Sequence, residues 1–182
     1  MNYDTPAKKW AKSNGINNIE TLGSLKDFFR GRGAYESEWI EVQEWLYSEG
    51  IREATIRIGF KELTLHLREL NADIFIISHK TKVSARNKID LILPAKIWIN
   101  EVLKPIIALS EENIFFEQTR MAKINRIAET QITHFVDDLE EIFEHRYFPR
   151  KVKKYLLVDQ QEDSLTKNAI QVNDLRKILP YV

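Results

Sequence analysis

Two adjacent carboxylates, Asp137 and Asp138, end an apolar run that begins at Thr133. The run has the length of a β-strand, and α/β proteins bind their ligands at the carboxyl ends of parallel strands. Two ionised carboxylates side by side repel each other, and Mg²⁺ relieves that repulsion because it prefers oxygen ligands. The pair therefore predicts a magnesium site. A structural alternative is that one aspartate caps the helix predicted to begin near Leu139, since Asp is a preferred N-cap residue.

Two earlier predicted strands, residues 72–77 and 113–118, are also followed by polar side chains. These belong to Ser78, His79 and Lys80 after the first strand and to Thr119, Arg120 and Lys123 after the second. The carboxyl ends of parallel strands meet at one edge of a sheet, so the three polar groups are expected to converge. Hydroxyl and ammonium groups bind phosphoryl oxygens, and carboxylate-bound Mg²⁺ neutralises the remaining charge. The residues that follow the first two strands are therefore expected to bind a small phosphorylated substrate.

The three motifs resemble those of the haloacid dehalogenase superfamily, whose members are phosphohydrolases with an aspartate nucleophile. Residues 76–81 resemble the family motif in which an apolar strand ends in a phosphate-binding Ser or Thr, here Ser78. Lys123 matches the lysine that stabilises the charged intermediate, and Asp137 with Asp138 matches the acidic pair that holds Mg²⁺. The resemblance extends over about residues 24–158. It implies catalytic roles for Ser78 and Lys123 and Mg²⁺ as the cofactor.

One motif of that family has no match in the chain. The family's nucleophile lies in an Asp-x-Asp sequence at the end of an apolar strand near the N-terminus, and Met1–Thr5 corresponds to the residues expected just after that strand. The strand is central in the family's sheet, so its loss implies a gap between the strands that lead to Ser78 and to Asp137. Two functions are therefore expected. One is a magnesium-dependent phosphomonoesterase core that is truncated or degenerate, and the other is a non-catalytic relative that binds phosphate, metal or protein.

Other titratable residues are weaker candidates. Asp159 and Asp163 follow a later predicted strand, but their spacing does not fit the nucleophile motif, and Asp4 lies on no predicted strand. A histidine side chain can serve as an acid or a base near neutral pH, which makes His79 and His134 candidates for acid-base chemistry. Their positions favour structural or substrate-orienting roles instead.

The pattern of helices and strands indicates which elements position these residues. After Gly59 helical and strand patterns alternate, which predicts a mostly parallel, Rossmann-like sheet of the haloacid dehalogenase type with helices on both faces. Residues 22–50 are predicted to form a small helical cap within a single domain that spans residues 1–182. A further strand is predicted at Lys154–Val158 and a last helix near Asn173–Leu179.

The composition limits the partners. The 27 basic and 27 acidic residues give a net charge of zero, so there is no overall field to attract nucleic acid, and none is expected as a partner. No apolar stretch approaches the roughly 20 residues needed to span a bilayer, and no secretory signal or cysteine is present. A cytoplasmic protein without membrane association is therefore expected. Unpaired strand edges beside the gap leave oligomerisation open, because proteins ordinarily pair or cover such edges.

Overall fold

The computed structural model describes residues 1–30, 32, 35–159 and 168–182. They form two compact units. Unit 1 contains Met1–Ile56 and Thr81–Ala108, and unit 2 contains Arg57–Lys80 and Leu109–Val182. The chain therefore passes between the units three times, and neither unit is one continuous segment. Among the residues described, no helix has the length and apolar character needed to cross a membrane.

The elements are as follows in chain order. The α-helices are α1 (Asp4–Ser13), α2 (Leu22–Arg30), α3 (Tyr35–Tyr47), α4 (Phe60–Glu69), α5 (Ile92–Trp98), α6 (Arg120–Glu129) and α7 (Glu140–Glu144). The strands are β1 (Ile76–His79), β2 (Ile114–Glu117), β3 (His134–Asp137), β4 (Lys153–Leu157) and β5 (Ile170–Val172). Shorter 3-10 turns cover Gly50–Glu53, Glu111–Asn113 and Leu175–Tyr181, and a π-helical turn covers Ile99–Leu103.

In unit 1 the apolar faces of α1, α2 and α3 share one core. Leu25 and Phe29 lie one turn apart on α2, so both point to the same side and both are buried. The other buried side chains of this core are Ala7, Ala11, Ile19, Trp39, Val42 and Leu46. Gly50 closes the turn after α3 where a Cβ atom would lie 2.6 Å from the ring of Trp45. Only glycine leaves room for that close approach.

A buried carboxylate fixes the hairpin that precedes α5 in unit 1. Glu44 on α3 accepts hydrogen bonds from the hydroxyl of Ser84 and from the backbone N–H of Asn87, the latter at 3.1 Å. Its second oxygen accepts from the Asn87 amide, also at 3.1 Å. Ser84 in turn accepts from the Ile89 N–H at 3.0 Å. Nothing in the periodicity of α3 distinguishes this glutamate from a solvated one, so the sequence did not predict the cluster.

Unit 2 contains two parallel sheets. β1 pairs with β2 in one sheet, and β3, β4 and β5 pair in that order in the other. Ile77 of β1 and Phe135 of β3 pack in one core with Ile124 and Ile127 of α6. The opposite face of β4 packs against α4 and the C-terminal turns in a second core, which includes Tyr155, Val172, Leu63, Leu175 and Ile178. The larger sheet is therefore covered on both faces.

The mixed α/β fold with parallel strands agrees with the alternation of patterns, but its details differ. The first strand is Ile76–His79 and not residues 72–77, so Ser78 and His79 lie within it. Pairing with β2 limits the length of β1, because the residues before β2 form a 3-10 turn and offer no strand to pair with residues 72–75. β5 was not predicted, and the helix expected near Asn173–Leu179 is a 3-10 helix at Leu175–Tyr181 with Pro180 inside it.

Candidate functional site

A buried ion pair lies at the carboxyl end of β3. The Lys123 ammonium on the first turn of α6 donates a hydrogen bond to Oδ2 of Asp137, and the two side chains are only 6% and 5% exposed. The helix is oriented for this contact by its N-cap, because the Thr119 hydroxyl accepts the Ala122 N–H at 3.0 Å. The ammonium also lies 5.5 Å from the centre of the Phe135 ring. The convergence of Lys123 and Asp137 at one sheet edge was expected from the sequence, whereas their direct ion pair was not.

Both oxygens of Asp137 have protein donors. Oδ1 accepts the Leu139 N–H at 3.0 Å, while Oδ2 holds Lys123. Burial raises the pKa of Asp137, because the cost of desolvating the carboxylate outweighs the opposing effect of Lys123, and the nearby Asp138 adds to the rise. The cation that compensates the charge of Asp137 in this chain is therefore the lysine ammonium.

The alternative that Asp137 or Asp138 caps the following helix is wrong. Leu139 holds the N-cap position of α7, and no side chain bonds to the helix N-terminus there. The bond from the Leu139 N–H to Asp137 spans two residues and forms an Asx-turn, which redirects the chain as it leaves β3. Asp138 is exposed. It is the carboxylate of the pair that is open to a ligand from solution.

Thr119 and Arg120, predicted to bind phosphate, each have a partner within the protein. The Thr119 hydroxyl caps α6, and the Arg120 guanidinium lies 2.7 Å from Glu141 at the start of α7. The Arg120 pair is exposed on both sides, so it is weak and an anion can replace the glutamate at little cost. The Thr119 hydroxyl is less available to a ligand than Arg120, because losing the cap would leave a helix N–H without a partner.

Ser78, His79 and Lys80 lie at the end of β1. Because successive strand residues point to opposite faces and Ile77 is buried against α6, Ser78 points away from α6, whereas Asp137 points towards it. A ligand that touches both must therefore lie beyond the strand ends. Within the part of the chain that the structure describes, the Ser78 hydroxyl has no hydrogen-bond partner. Burial lowers the pKa of Lys80 from 10.5 to about 8.

The other candidates are engaged in structural contacts. The His134 ring lies between the Thr133 hydroxyl, 2.8 Å away, and the Tyr181 carbonyl oxygen, 3.1 Å away, which is a structural role. Asp4 accepts the Leu22 N–H at 2.9 Å, and Asp159 lies 2.8 Å from the Arg57 guanidinium. Asp163 lies outside the described residues.

The carboxylates at the end of β3 are ligands of the type that Mg²⁺ prefers, but there are only two of them. No group of three or more His, Cys, Asp or Glu residues arranged to hold a metal occurs in residues 1–30, 32, 35–159 and 168–182. Asp137 and Asp138 supply oxygen donors, and a carboxylate oxygen that accepts one hydrogen bond retains a second lone pair. Mg²⁺ binds proteins through as few as one or two carboxylates and keeps several waters. A bound Mg²⁺ would therefore be held mainly by exposed Asp138, because Asp137 already accepts hydrogen bonds from Lys123 and Leu139.

The chain matches no known family model, no curated protein and no solved structure.

Proposed function

We propose that this chain is the phosphate- and magnesium-binding core of a phosphomonoesterase of the haloacid dehalogenase type. The observation that supports the proposal is the buried pair of Lys123 and Asp137 at the end of β3, with Asp138 exposed beside it. An ammonium and two carboxylates at one strand end can bind a metal and the phosphoryl group that the metal neutralises. The finer fold proposed with it is one interrupted parallel sheet in the strand order β2, β1, gap, β3, β4, β5.

In this function the lysines bind the phosphoryl group and the acids hold the cation. Lys80 is suited to an anion, because burial disfavours its charged ammonium and a bound phosphate would stabilise that charge. Lys123 would be shared between Asp137 and a phosphoryl oxygen, and the Ser78 hydroxyl would donate to another. When bound, Mg²⁺ would offset the phosphoryl charge. Each of these residues binds or orients the ligand, and none of them is the nucleophile.

A second candidate is binding of a phosphorylated ligand without hydrolysis. The contacts of Asp4 and Asp159 favour it, because each carboxylate is held by a partner of its own. We therefore expect no appreciable hydrolysis of p-nitrophenyl phosphate by this chain with Mg²⁺, since covalent catalysis needs a free nucleophile. Turnover that disappears in Asp4→Asn or Asp159→Asn would contradict that expectation and identify the nucleophile.

Calorimetric titration with inorganic phosphate, with and without Mg²⁺, tests the binding site. The parent should bind phosphate more tightly with Mg²⁺, and Asp138→Asn should weaken that effect by roughly tenfold, since one charge-assisted contact is lost. Asp73→Asn is the matched control, because Asp73 is also exposed but precedes β1 at the other end of the strand. If Mg²⁺ has no effect on phosphate binding in the parent, the proposed site is wrong.

Proton uptake provides a second measurement on the same site. A phosphate that contacts Lys80 stabilises the charged ammonium and raises its pKa from about 8 towards its ordinary value. Binding near pH 8 should therefore take up protons, which appears as a dependence of the binding enthalpy on the buffer. Lys80→Met should remove that dependence. Uptake that persists in Lys80→Met would show that the phosphate binds elsewhere.

A further inference from the structure

A pocket of about 510 Å³ opens at the amino ends of β4 and β5 in unit 2. The residues that line it include Arg150, Lys153, Lys154, Asn168, Ala169 and Ile170. The strand register pairs His134 with Lys153 and Asp137 with Leu156, so the pocket and Asp137 lie at opposite ends of the strands, about 10 Å apart along their direction. The volume of the pocket is in the range of small-molecule sites. The pocket is therefore separate from the proposed phosphate and magnesium site.

Two of the basic side chains at this pocket are held by main-chain carbonyl groups. The Lys153 ammonium donates a hydrogen bond to the Tyr181 carbonyl at 3.1 Å, and the Lys154 ammonium donates to the Phe143 carbonyl at 2.8 Å. Phe143 belongs to the core on one face of β4, and Tyr181 lies beside Tyr155 on the other face. The two ammonium groups are therefore on opposite faces of the strand, as the alternation of strand side chains requires. A carbonyl oxygen orients an ammonium without neutralising it, and each ammonium retains two further N–H donors.

The positive charges at the pocket are not balanced by ion pairs within the described part of the chain. None of the ion pairs among those residues includes Arg150, Lys153 or Lys154. Burial lowers the pKa of Lys154, because desolvation disfavours its charged form, and a bound anion would stabilise that charge. The pocket is therefore suited to an anionic ligand.

The number and placement of the basic groups indicate the kind of anion. A single phosphate group carries a charge of about −1.5 to −2 at neutral pH, which is less than the combined positive charge of Arg150, Lys153 and Lys154. A ligand that reaches both lysines must also extend around the amino end of β4, because the two ammonium groups lie on opposite faces of the strand. The planar guanidinium of Arg150 presents N–H donors that match two phosphate oxygens. A pair of linked phosphate groups meets all three conditions.

We propose that this pocket binds a small ligand that carries two linked phosphate groups. One phosphate group would accept hydrogen bonds from Lys153 and the other from Lys154, and the exposed Arg150 guanidinium would donate to their oxygens. In an organic diphosphate, the uncharged part would lie against Ala169 and Ile170, which belong to the apolar part of the lining. The proposal rests on the amino ends of β4 and β5 and is independent of the proposed function.

Calorimetric titration without Mg²⁺ tests the proposal with three probes, which are inorganic diphosphate, adenosine diphosphate and orthophosphate. Both diphosphates should bind more tightly than orthophosphate by roughly tenfold or more, since only they can contact both lysines at once. Arg150→Gln and Lys153→Gln should each weaken diphosphate binding by roughly tenfold, because one charge-assisted contact is lost. Lys151→Gln is the matched control and should change nothing, because Lys151 is exposed in the same segment but does not line the pocket. Tighter binding of adenosine diphosphate than of inorganic diphosphate would identify an organic ligand, and equal affinity an inorganic one.

Amide chemical shifts locate the bound probe and separate the two proposed anion sites. The shifts should change at residues 150–154 and 168–170, and Asp138→Asn should leave diphosphate binding without Mg²⁺ unchanged. Equal losses of affinity in Lys151→Gln and Lys153→Gln, or shift changes confined to Ser78 and Lys80, would overturn the proposal. Orthophosphate binding as tight as that of inorganic diphosphate would also overturn it. Tighter binding of single-stranded oligothymidylate, in competition with inorganic diphosphate, would replace it with a nucleic-acid backbone as the ligand.

Discussion

The charge on Asp137 is compensated within the protein. A buried carboxylate without a partner costs several kcal/mol, and here Lys123 and the Leu139 N–H provide the compensation. The sequence predicted that the aspartate pair needs a cation, and the structure supplies one from α6. The two donors of Asp137 are therefore the Lys123 ammonium and the Leu139 N–H, whereas Asp138 is exposed to solvent.

Removing Lys123 should strongly destabilise the protein. Lys123→Met leaves Asp137 buried without its counter-charge, and the expected loss is about 3 to 5 kcal/mol of unfolding free energy. Lys61→Met, a change of the same kind at an exposed position on α4, should cost little. Chemical denaturation of both variants measures the difference. A loss in Lys123→Met no larger than in Lys61→Met would contradict the buried pair.

The loss in Lys123→Met should depend on pH. The folded-state pKa of Asp137 is already raised above its ordinary value of 3.8, and removing Lys123 raises it further. A raised carboxyl pKa means that stability is greatest in acid, where Asp137 is protonated, and falls as the pH rises through the folded-state pKa. The unfolding free energy that Lys123→Met loses relative to the parent should therefore be smaller at pH values below the ordinary pKa of the Asp137 carboxyl group. A deficit that does not change with pH would show that Asp137 is not the group left unpaired.

Lys80 should give a pH dependence of the opposite sign. Its folded-state pKa is about 8 against 10.5 when unfolded, so between these values the unfolded chain binds more protons. The free energy of unfolding contributed by Lys80 should therefore rise with pH across that window. Lys80→Met should be more stable than the parent at neutral pH and lose that advantage by pH 10.5. Denaturation of the two proteins across the window measures it, and parallel pH profiles would refute the desolvation of Lys80.

At the scale of elements, the sequence predicts what depends on local pattern. The apolar runs that end in polar residues predicted the positions of β1, β2 and β3, because strand patterns are local in sequence. The length of β1 and the presence of β5 depend on partners far away in sequence, and the sequence did not predict them. The same limit applies to the site. Residue types indicated Lys123 and Asp137, but their contact depends on how α6 packs across the sheet.

The N-cap of α6 should carry a measurable part of the stability. Thr119→Ala removes the acceptor for the Ala122 N–H and should cost about 1 kcal/mol, while Thr119→Ser should restore most of it. Thermal and chemical denaturation measure the cost. Phosphate binding measured on the same variants separates this role from the predicted ligand contact. If Thr119→Ala weakens phosphate binding without changing stability, the hydroxyl serves the ligand and not the helix.

Glu44 should hold its hairpin far more strongly than its neighbour Glu41 does. Glu44→Ala leaves the buried hydroxyl of Ser84 and the part-buried donors of Asn87 without their acceptor, and the expected cost is about 1 to 3 kcal/mol. Glu41→Ala is the matched control on the same helix, because its pair with Arg86 is exposed and such pairs contribute about 0 to 1 kcal/mol. Equal costs for the two variants would contradict the buried cluster.

At the scale of the whole molecule, each of the two units has a core of its own. The core of unit 1 is formed mainly by the helices α1, α2 and α3, whereas the two cores of unit 2 lie on the two faces of parallel strands. Unit 1 is assembled from segments on both sides of residues 57–80, which belong to unit 2. Contacts between helices therefore hold unit 1 together, whereas unit 2 also depends on pairing between strands that are distant in sequence. Each unit should have its own free energy of unfolding.

One large-to-small substitution in the core of each unit tests whether the two units unfold separately. Leu25→Ala in unit 1 and Ile127→Ala in unit 2 each remove a fully buried side chain, and each should cost about 2 to 5 kcal/mol where it acts. Because the cores are separate, Leu25→Ala should reduce hydrogen-exchange protection mainly in α1, α2 and α3. Ile127→Ala should reduce it mainly in α6 and the strands. If either substitution lowers protection equally in both units, the chain unfolds as one cooperative body.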